Sequence, residues 1–430
     1  MSPMSKIIVP VLWVVILFLP HGGQATEINP NAELEDQLSR LIRNGGVAVG
    51  KNGSPSFLFA IEERDESRGR FIPASIIKLG TALTAFQELG RDYRFRTAFY
   101  RDQAGNFYLR GLGDPFLVSE EWALIARELA SAGAFREPIR DLVVDESAFH
   151  PSLEVDGATK SLNPYDARLG ALVSNFNTIF VEVTPGKVIR SAEPQTPLTP
   201  LAKAKARGLP PGKHRINFSL NPADGPRYSG ELARAFFMQS GAKITGKIRR
   251  GKTPEGLQPV LLHQSSKTLS EVVKGMLEFS NNYIANQIVL VMGMLRQGEP
   301  ATLEKGVALI RDHLVKQIGL RPGTFDLSEG SGLSRLNRIT LADMLKVTEA
   351  FRPHRDLFRP YGTGPWSALA KTGTLTGVSS LAGYLPGTGH SFVIIINQSR
   401  NTRWSIYKHL ARSFGAPDKN GAPFAGESPP

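Results

Sequence analysis

The 430-residue chain predicts an α+β fold in which strands from both ends of the chain share one antiparallel sheet and a β-rich insertion interrupts it. Three observations carry this expectation. Short strand-like runs stand near the start, Val47 to Gly50 and Ser56 to Ile61, and near the end, Ala368 to Leu375, Ser379 to Leu385 and Phe392 to Asn397. Apolar helical segments follow Ser75 and surround Ser280. Ser75 and Ser280 are about 200 residues apart, more than a compact catalytic domain needs between two of its own segments. The sequence therefore divides into residues 26–96 and 264–416, forming one domain, and residues 97–263, inserted as a domain or pair of domains.

Hydrophobic residues make up 41% of the chain and charged residues 21%, which suits a globular protein. Residues 1–25 are set aside as an export signal. Lys6 supplies the positive charge, Ile7 to Leu19 the apolar run, and Gly23-Gln24-Ala25 the small residues of a cleavage site before Thr26. An uncleaved anchor is the competing reading of the same segment. Cysteine is absent, which excludes a thiol nucleophile, disulfides and a lipidated cysteine. The formal charge is +12, from 51 basic and 39 acidic residues. With an export signal and no aromatic–basic motif, nucleic acid is excluded as a partner. An anionic cell wall or membrane surface, bound peripherally, suits the charge better; the alternative is that the excess only keeps the chain soluble. No metal-ligand spacing, P-loop or G-x-G-x-x-G occurs, so no metal and no cofactor is expected.

Taken in order, Asn31 to Asn44 has leucines at helical spacing and stops at Gly45-Gly46. After the first two strands, Ser75 opens a helix that is apolar nearly all round and ends at Gly90, with Pro73 outside its start. Arg96 to Arg110 reads as strands around a turn at Gln103 to Asn106. Glu120 to Ala132 reads as an amphipathic helix, and Leu142 to Asp145 and Thr178 to Val183 as strands. Pro194 to Pro211, rich in Pro and Lys, is expected to be an exposed connection. Arg215 to Leu220 and Lys247 to Arg250 are strand-like and flank a helix from Gly230 to Ser240. Helices then recur at Leu269 to Phe279, Tyr283 to Met294, Ala301 to Ile318 and Thr340 to Phe351. Trp404 to Phe414 closes as a helix, and the Pro/Gly/Ala-rich residues 417–430 are expected to be disordered.

The chemistry rests on three short motifs. Ser75 and Lys78 stand at i and i+3, so on a helix they share a face. A serine hydroxyl needs a base to become a nucleophile, and a desolvated lysine can be that base. Ser75 also sits at the positive end of its helix dipole, which favours an oxyanion there. The bland alternative is a capping serine and a snorkelling lysine. Ser280-Asn281-Asn282 places a hydroxyl that can pass a proton and an amide that both donates and accepts; alone it is an ordinary helix-end cluster. Lys371-Thr372-Gly373-Thr374 lies in a predicted strand, where Lys371 offers a cation, Thr372 a hydroxyl, and Gly373 close backbone approach; alone it is an edge strand with a solvated lysine. The backbone N–H groups of Ser75 and Thr374 are candidates for an oxyanion hole. The order S-x-x-K, S-x-N, K-T-G is the signature set of penicillin-binding proteins and serine β-lactamases.

With the further stretches Tyr93 to Thr97, Gly113-Asp114-Pro115, Gly246 to Gly251, Ser331 to Arg335 and Ala370 to Ser379, the chain resembles the D-alanyl-D-alanine carboxypeptidase/endopeptidases of the class C low-molecular-mass penicillin-binding proteins, peptidase family S13, over most of residues 30–415. The resemblance implies the serine β-lactamase/DD-peptidase fold, an antiparallel sheet with helices on both faces. It implies Ser75 as the acylated nucleophile, Lys78 as its base partner, Ser280 and Asn282 as the second motif, and Lys371, Thr372 and Gly373 as the third. It also implies peptidoglycan muropeptides as substrates, β-lactam antibiotics as covalent ligands and the periplasm as location. Two positions depart from the family pattern. Glu329 stands where the family usually has Asp, and Phe116-Leu117 follows Pro115 where a small polar residue is more common. A serine β-lactamase is the alternative enzyme, although no E-x-x-L-N segment lies between Asn282 and Lys371. An inactive wall-binding scaffold is the alternative of another class, against which the three intact motifs stand.

Overall fold

The structure, a computed structural model, describes residues 31–415 apart from 55, 64–68, 159–160 and 364–365. The expected export signal with its cleavage site after Ala25, and the tail 417–430, lie outside the described residues. Two compact units emerge, one of residues 31–80, 312–327 and 335–415, the other of 81–311 and 328–334.

The first unit is built on a six-stranded sheet in the order Pro360–Tyr361, Ala368–Leu375, Val378–Tyr384, Ser391–Ile396, Gly45–Gly50, Phe57–Glu63, every neighbour antiparallel. The two ends of the chain thus meet in one sheet, as the sequence predicts. Val47 pairs with Ile394 and Val49 with Phe392. Side chains alternate across the sheet with period two. Val47, Val49, Phe392, Ile394 and Ile396 pack with Leu34, Leu38, Ile406, Tyr407 and Leu410 from the helices Ala32–Ser39 and Arg403–Phe414. The helix Leu341–Ala350 covers the other face, where Gly46 and Gly50 leave room for Leu341 and Leu345. Burial on both faces explains why Ser391–Ile396 is apolar at every position from Phe392 on and every residue of it is buried.

The second unit holds a five-stranded mixed sheet in the order Pro259–Thr268, Arg94–Arg101, Phe107–Gly111, Leu142–Asp145, Ile248–Arg250. The first three strands are antiparallel to one another and the last two join in parallel. The helices Ser119–Ser131 and Asp224–Gln239 bury Trp122 and Phe237 against Phe99 and Phe107, the rings meeting edge to face at 5.9–6.3 Å. A three-stranded sheet, Ile189–Ser191, Thr178–Val183 and Gly212–Asn217, adjoins this core.

Two segments differ from the sequence expectation. Pro200–Ala206, expected within an exposed connection, is a helix with Leu201, Ala202 and Ala206 buried. Pro200 opens it at N1, where a missing N–H costs nothing, and Thr199 Oγ1 accepts the Ala202 N–H at 3.2 Å. Pro259–Thr268 is a full strand that the sequence pattern conceals, because the residues it buries most deeply are His263 and Ser265 while Leu262 faces outward.

Candidate active site

The nucleophile turn and the third motif both belong to the first unit. Pro73 precedes a 3₁₀ turn, Ala74–Ile77, which passes directly into the α-helix Lys78–Leu89. Gly90, at φ +82°, ends it, its N–H bonded to Phe86 O at 3.0 Å. The sequence predicts a single helix here; the tighter first turn matters because residues i and i+3 eclipse at three residues per turn. Ser75 and Lys78 are therefore stacked, and Lys78 Nζ donates to Ser75 Oγ at 2.9 Å. Lys78 is fully buried.

Ala74, next to Ser75, is held at φ +48°. A left-handed non-glycine residue is strained by about 1–3 kcal/mol and persists only where its surroundings fix it. The fixing groups are Ser380, whose Oγ donates to Pro73 O at 2.6 Å, and Asn397, whose side chain takes the Ile72 N–H at 2.8 Å and donates to Ile72 O at 3.1 Å.

The third motif lies in the strand Ala368–Leu375. Gly373 passes against the nucleophile turn. A Cβ there would stand 2.2 Å from Ser380 Oγ, 2.8 Å from Ser75 N and 3.0 Å from Pro73 O, so only glycine lets strand and turn touch. Lys371 is buried, and its Nζ donates to Thr372 O at 2.7 Å. Burial, reinforced by the charges of Lys78 and Arg403, holds its pKa well below the ordinary lysine range. The outer edge of this strand is paired only at Ala368 and Leu369, among the described residues. Beyond Leu369 no strand pairs with that edge among the described residues.

Ser280 and Asn282 belong to the second unit. Ser280 lies between the helices Leu269–Glu278 and Asn282–Gln297, at φ +52°, a second strained non-glycine position. Asn281 caps the second helix, its Oδ1 accepting the Ile284 N–H at 3.0 Å. Tyr283 follows at once and meets Phe176 edge to face at 5.6 Å, and Phe176 meets Phe116 at 6.1 Å. The unexpected Phe116 is thus one end of an aromatic row that reaches the second-motif helix. Glu329, the other departure, is buried and gathers donors: Asn286 Nδ2 at 2.9 Å, Ser331 N at 2.7 Å, Ser331 Oγ at 2.6 Å, Gly332 N at 2.7 Å and Ser334 N at 3.2 Å. It ties the loop Glu329–Ser334 to the helix that Asn282 begins.

Ser75, Lys78, Lys371, Thr372, Gly373 and Thr374 are thus gathered in the first unit, while Ser280 and Asn282 are placed in the second. Sequence reasoning passed over Ser380, Asn397 and Arg403. Ser380 and Asn397 hold Pro73 and Ile72 just ahead of Ser75, Arg403 holds Gly373 and Thr374, and no spacing signal marks any of them.

A Ser-x-x-Lys turn packed on a Lys-Thr-Gly strand of an antiparallel sheet defines a serine acyl-transfer enzyme of the penicillin-recognising class. Comparison with known proteins narrows this. Residues 43–207 and 205–361 match the D-Ala-D-Ala carboxypeptidase 3 (S13) family, and the chain belongs to that family. It is an enzyme, a serine-type D-Ala-D-Ala carboxypeptidase. A D-alanyl-D-alanine carboxypeptidase of Actinomadura sp. (strain R39) is 27% identical over 85% of this chain and 80% of the relative. The D-alanyl-D-alanine carboxypeptidase DacB of Haemophilus influenzae is 25% identical over 85% and 88%. The crystal structure of penicillin binding protein 4 (dacB) from Haemophilus influenzae shares the fold, with a TM-score of 0.69 over 88% of this chain and 99% of that one, at 22% identity.

Proposed function

We propose that Ser75 is the nucleophile of a D-Ala-D-Ala carboxypeptidase acting on peptidoglycan stem peptides. The observation that carries this is the 2.9 Å contact of Lys78 Nζ with Ser75 Oγ inside a buried turn. Lys78, as the neutral amine, takes the Ser75 proton while Oγ attacks the carbonyl of the penultimate D-alanine. The C–N bond breaks and D-alanine leaves, protonated at its nitrogen. Water then hydrolyses the serine ester. The N–H groups of Ser75 and Thr374 stabilise the oxyanion of each tetrahedral intermediate. Lys371, Thr372 and Gly373 bind the substrate's terminal carboxylate and backbone, and Ser280 and Asn282 serve proton transfer and substrate binding as the second motif.

β-Lactams acylate the same serine. Cleavage of cross-linked peptides, a DD-endopeptidase activity, follows from the same chemistry when the leaving amine belongs to a neighbouring stem. The enzyme works in the periplasm after removal of residues 1–25, associated peripherally with the wall or membrane through its basic surface. Among the described residues, no helix is long and apolar enough to cross a membrane.

Residues 97–263 form the insertion in this proposal. Two observations support it. Thr97 and His263, its two ends, are register partners on adjacent strands. The aromatic core around Trp122 and Phe237 draws its buried residues from Phe99 to Ile244 alone.

Labelled penicillin tests the assignment. Wild-type protein is expected to hold a stable adduct on Ser75, and Ser75→Ala to hold none while melting as the wild type does. Fast turnover of the label would mean a β-lactamase, no label a scaffold, and an adduct on another serine a different nucleophile. Digestion of purified muropeptides, with free D-alanine and cross-linked dimers followed separately, apportions the two peptidase activities.

A further inference from the structure

We infer that Arg403 is a positioning residue that polarises the oxyanion-hole peptide between Gly373 and Thr374. This rests on the assignment of the Thr374 N–H as an oxyanion donor. Arg403 opens the helix Arg403–Phe414, and its Nη1 lies 3.0 Å from Gly373 O, 3.1 Å from Ser380 O and 3.3 Å from Thr374 Oγ1. Gly373 and Ser380 are register partners on adjacent strands. Because one nitrogen reaches both carbonyls, the two carbonyls point toward each other across the seam.

In a trans peptide the C=O and the following N–H point in opposite directions. With Gly373 O directed into the sheet, the Thr374 N–H is directed out of it, to the edge that has no strand partner beyond Leu369 among the described residues. The nucleophile turn lies against the face of the same strand beside that edge, where Gly373 leaves room for Ser75 N.

The Gly373 carbonyl and the Thr374 N–H belong to one resonance-coupled amide. A cation donating to the oxygen draws electron density from the nitrogen, and linked hydrogen bonds strengthen one another in this way. A charge-assisted donor acts more strongly than a neutral one. Arg403 therefore makes the Thr374 N–H a stronger donor to a developing oxyanion, without touching substrate. It also fixes the direction of that N–H, since the guanidinium grips both strands and the Thr374 hydroxyl. The guanidinium also lies over the Tyr361 ring, 5.7 Å from its centre.

A penicillin acyl-enzyme labelled with ¹³C at the ester carbonyl reads this directly. The infrared stretch of that carbonyl falls as its hydrogen bonds strengthen. In Arg403→Met the band is expected to move to higher frequency, and the acylation rate constant to fall about tenfold, a fraction of what losing a whole oxyanion donor costs. The dissociation constant of the initial penicillin complex is expected to change less than about twofold. Arg403→Lys, which keeps a cation on the same helix, is expected to give an intermediate band, and it serves as the test should Arg403→Met not fold. An unmoved ester band in the folded variant overturns the inference, as does a rate loss matched by an equal loss of initial binding. Failure of the nucleophile assignment in the proposed function is separate, because wild-type protein would then form no adduct on Ser75.

Discussion

Each unit holds a cluster of buried ionisable groups, and the two clusters are built in opposite ways. In the first unit basic groups are gathered: Lys78 and Lys371 are buried, and burial, with Lys78 and Arg403 nearby, depresses the proton affinity of Lys371. In the second unit opposite charges meet. His263 and Glu121, each 2% exposed, share a 2.7 Å bond. The other nitrogen of His263 meets Glu128 at 2.7 Å, and Ser266 donates to Glu121 from N at 2.7 Å and from Oγ at 2.6 Å. The second arrangement is what a stable interior does with ionised groups. The first brings basic groups together out of water, as reaction sites commonly do.

Lys78→Arg is the most direct way to break the comparison. Arginine keeps a long basic side chain in the buried turn but cannot become the neutral base near neutral pH. Penicillin acylation is expected to fall by a factor of about 10³ or more, with initial binding much less affected, as for loss of an activating base. Stopped-flow acylation kinetics check it, and near-normal acylation would remove Lys78 from the proton path. Gly373→Ala comes next. Its Cβ would press on Ser380 Oγ, Ser75 N and Pro73 O, so the turn must back away from the strand. Overpacking of this kind costs about 1–3 kcal/mol, and a misplaced nucleophile about a hundredfold in acylation. A variant with normal kinetics would show that strand and turn need not touch.

Much of the catalytic half was legible because its signals are short-range. Ser75 and Lys78 meet through a three-residue spacing, and Ser391–Ile396 announces a strand buried on both faces by its Val/Ile run. The insertion was harder where it buries polar groups. In Pro259–Thr268 the inward positions are His263 and Ser265, so the period-two pattern is present in polar rather than apolar residues. Pro200–Ala206 was hidden for a different reason: a proline that opens a helix looks in sequence like one that breaks it. Arg403, Ser380 and Asn397 were beyond reach because what they do depends on register between strands and helices far apart in the chain.

His263→Gln sharpens the other side of the comparison. Burial lowers the proton affinity of His263, but the bonds to Glu121 and Glu128 outweigh it, so its pKa is raised from 6.5. Burial raises Glu121, but His263 and Ser266 outweigh it, so its pKa is lowered from 4.5. A raised histidine contributes stability that is complete below its unfolded pKa and disappears as pH climbs through the folded one. A lowered carboxylate contributes stability that is complete above its unfolded pKa and disappears as pH falls through the folded one. Together they favour the window between the two ordinary values. His263→Gln is expected to lose about 3 kcal/mol at about pH 6, the usual penalty for stranding one member of a buried pair. The gap to wild type should narrow as pH rises through the folded pKa of His263. Urea melts at a series of pH values measure it, and a gap independent of pH would mean that His263 is neutral throughout.

The smallest expected effect belongs to Glu329→Asp. Glu329 is a buried carboxylate held by donors from Asn286, Ser331, Gly332 and Ser334, so it falls on the compensated side of the comparison although it lies beside a loop of the resembled family's pattern. Aspartate is one methylene shorter. Its carboxylate can keep the nearest donors, the N–H and hydroxyl of Ser331 two residues on, in the turn that aspartate commonly makes. The bond from Asn286, which reaches across from the second-motif helix, is the one that must stretch. Loss of one hydrogen bond to a charged group, with the carboxylate still solvated by the others, corresponds to about 1–2 kcal/mol of stability. Penicillin acylation is expected to stay within about threefold of wild type, because no group that moves a proton is altered. A loss of acylation much larger than the loss of stability would place Glu329 with Lys78 and Lys371, among the buried ionisable groups kept for the reaction.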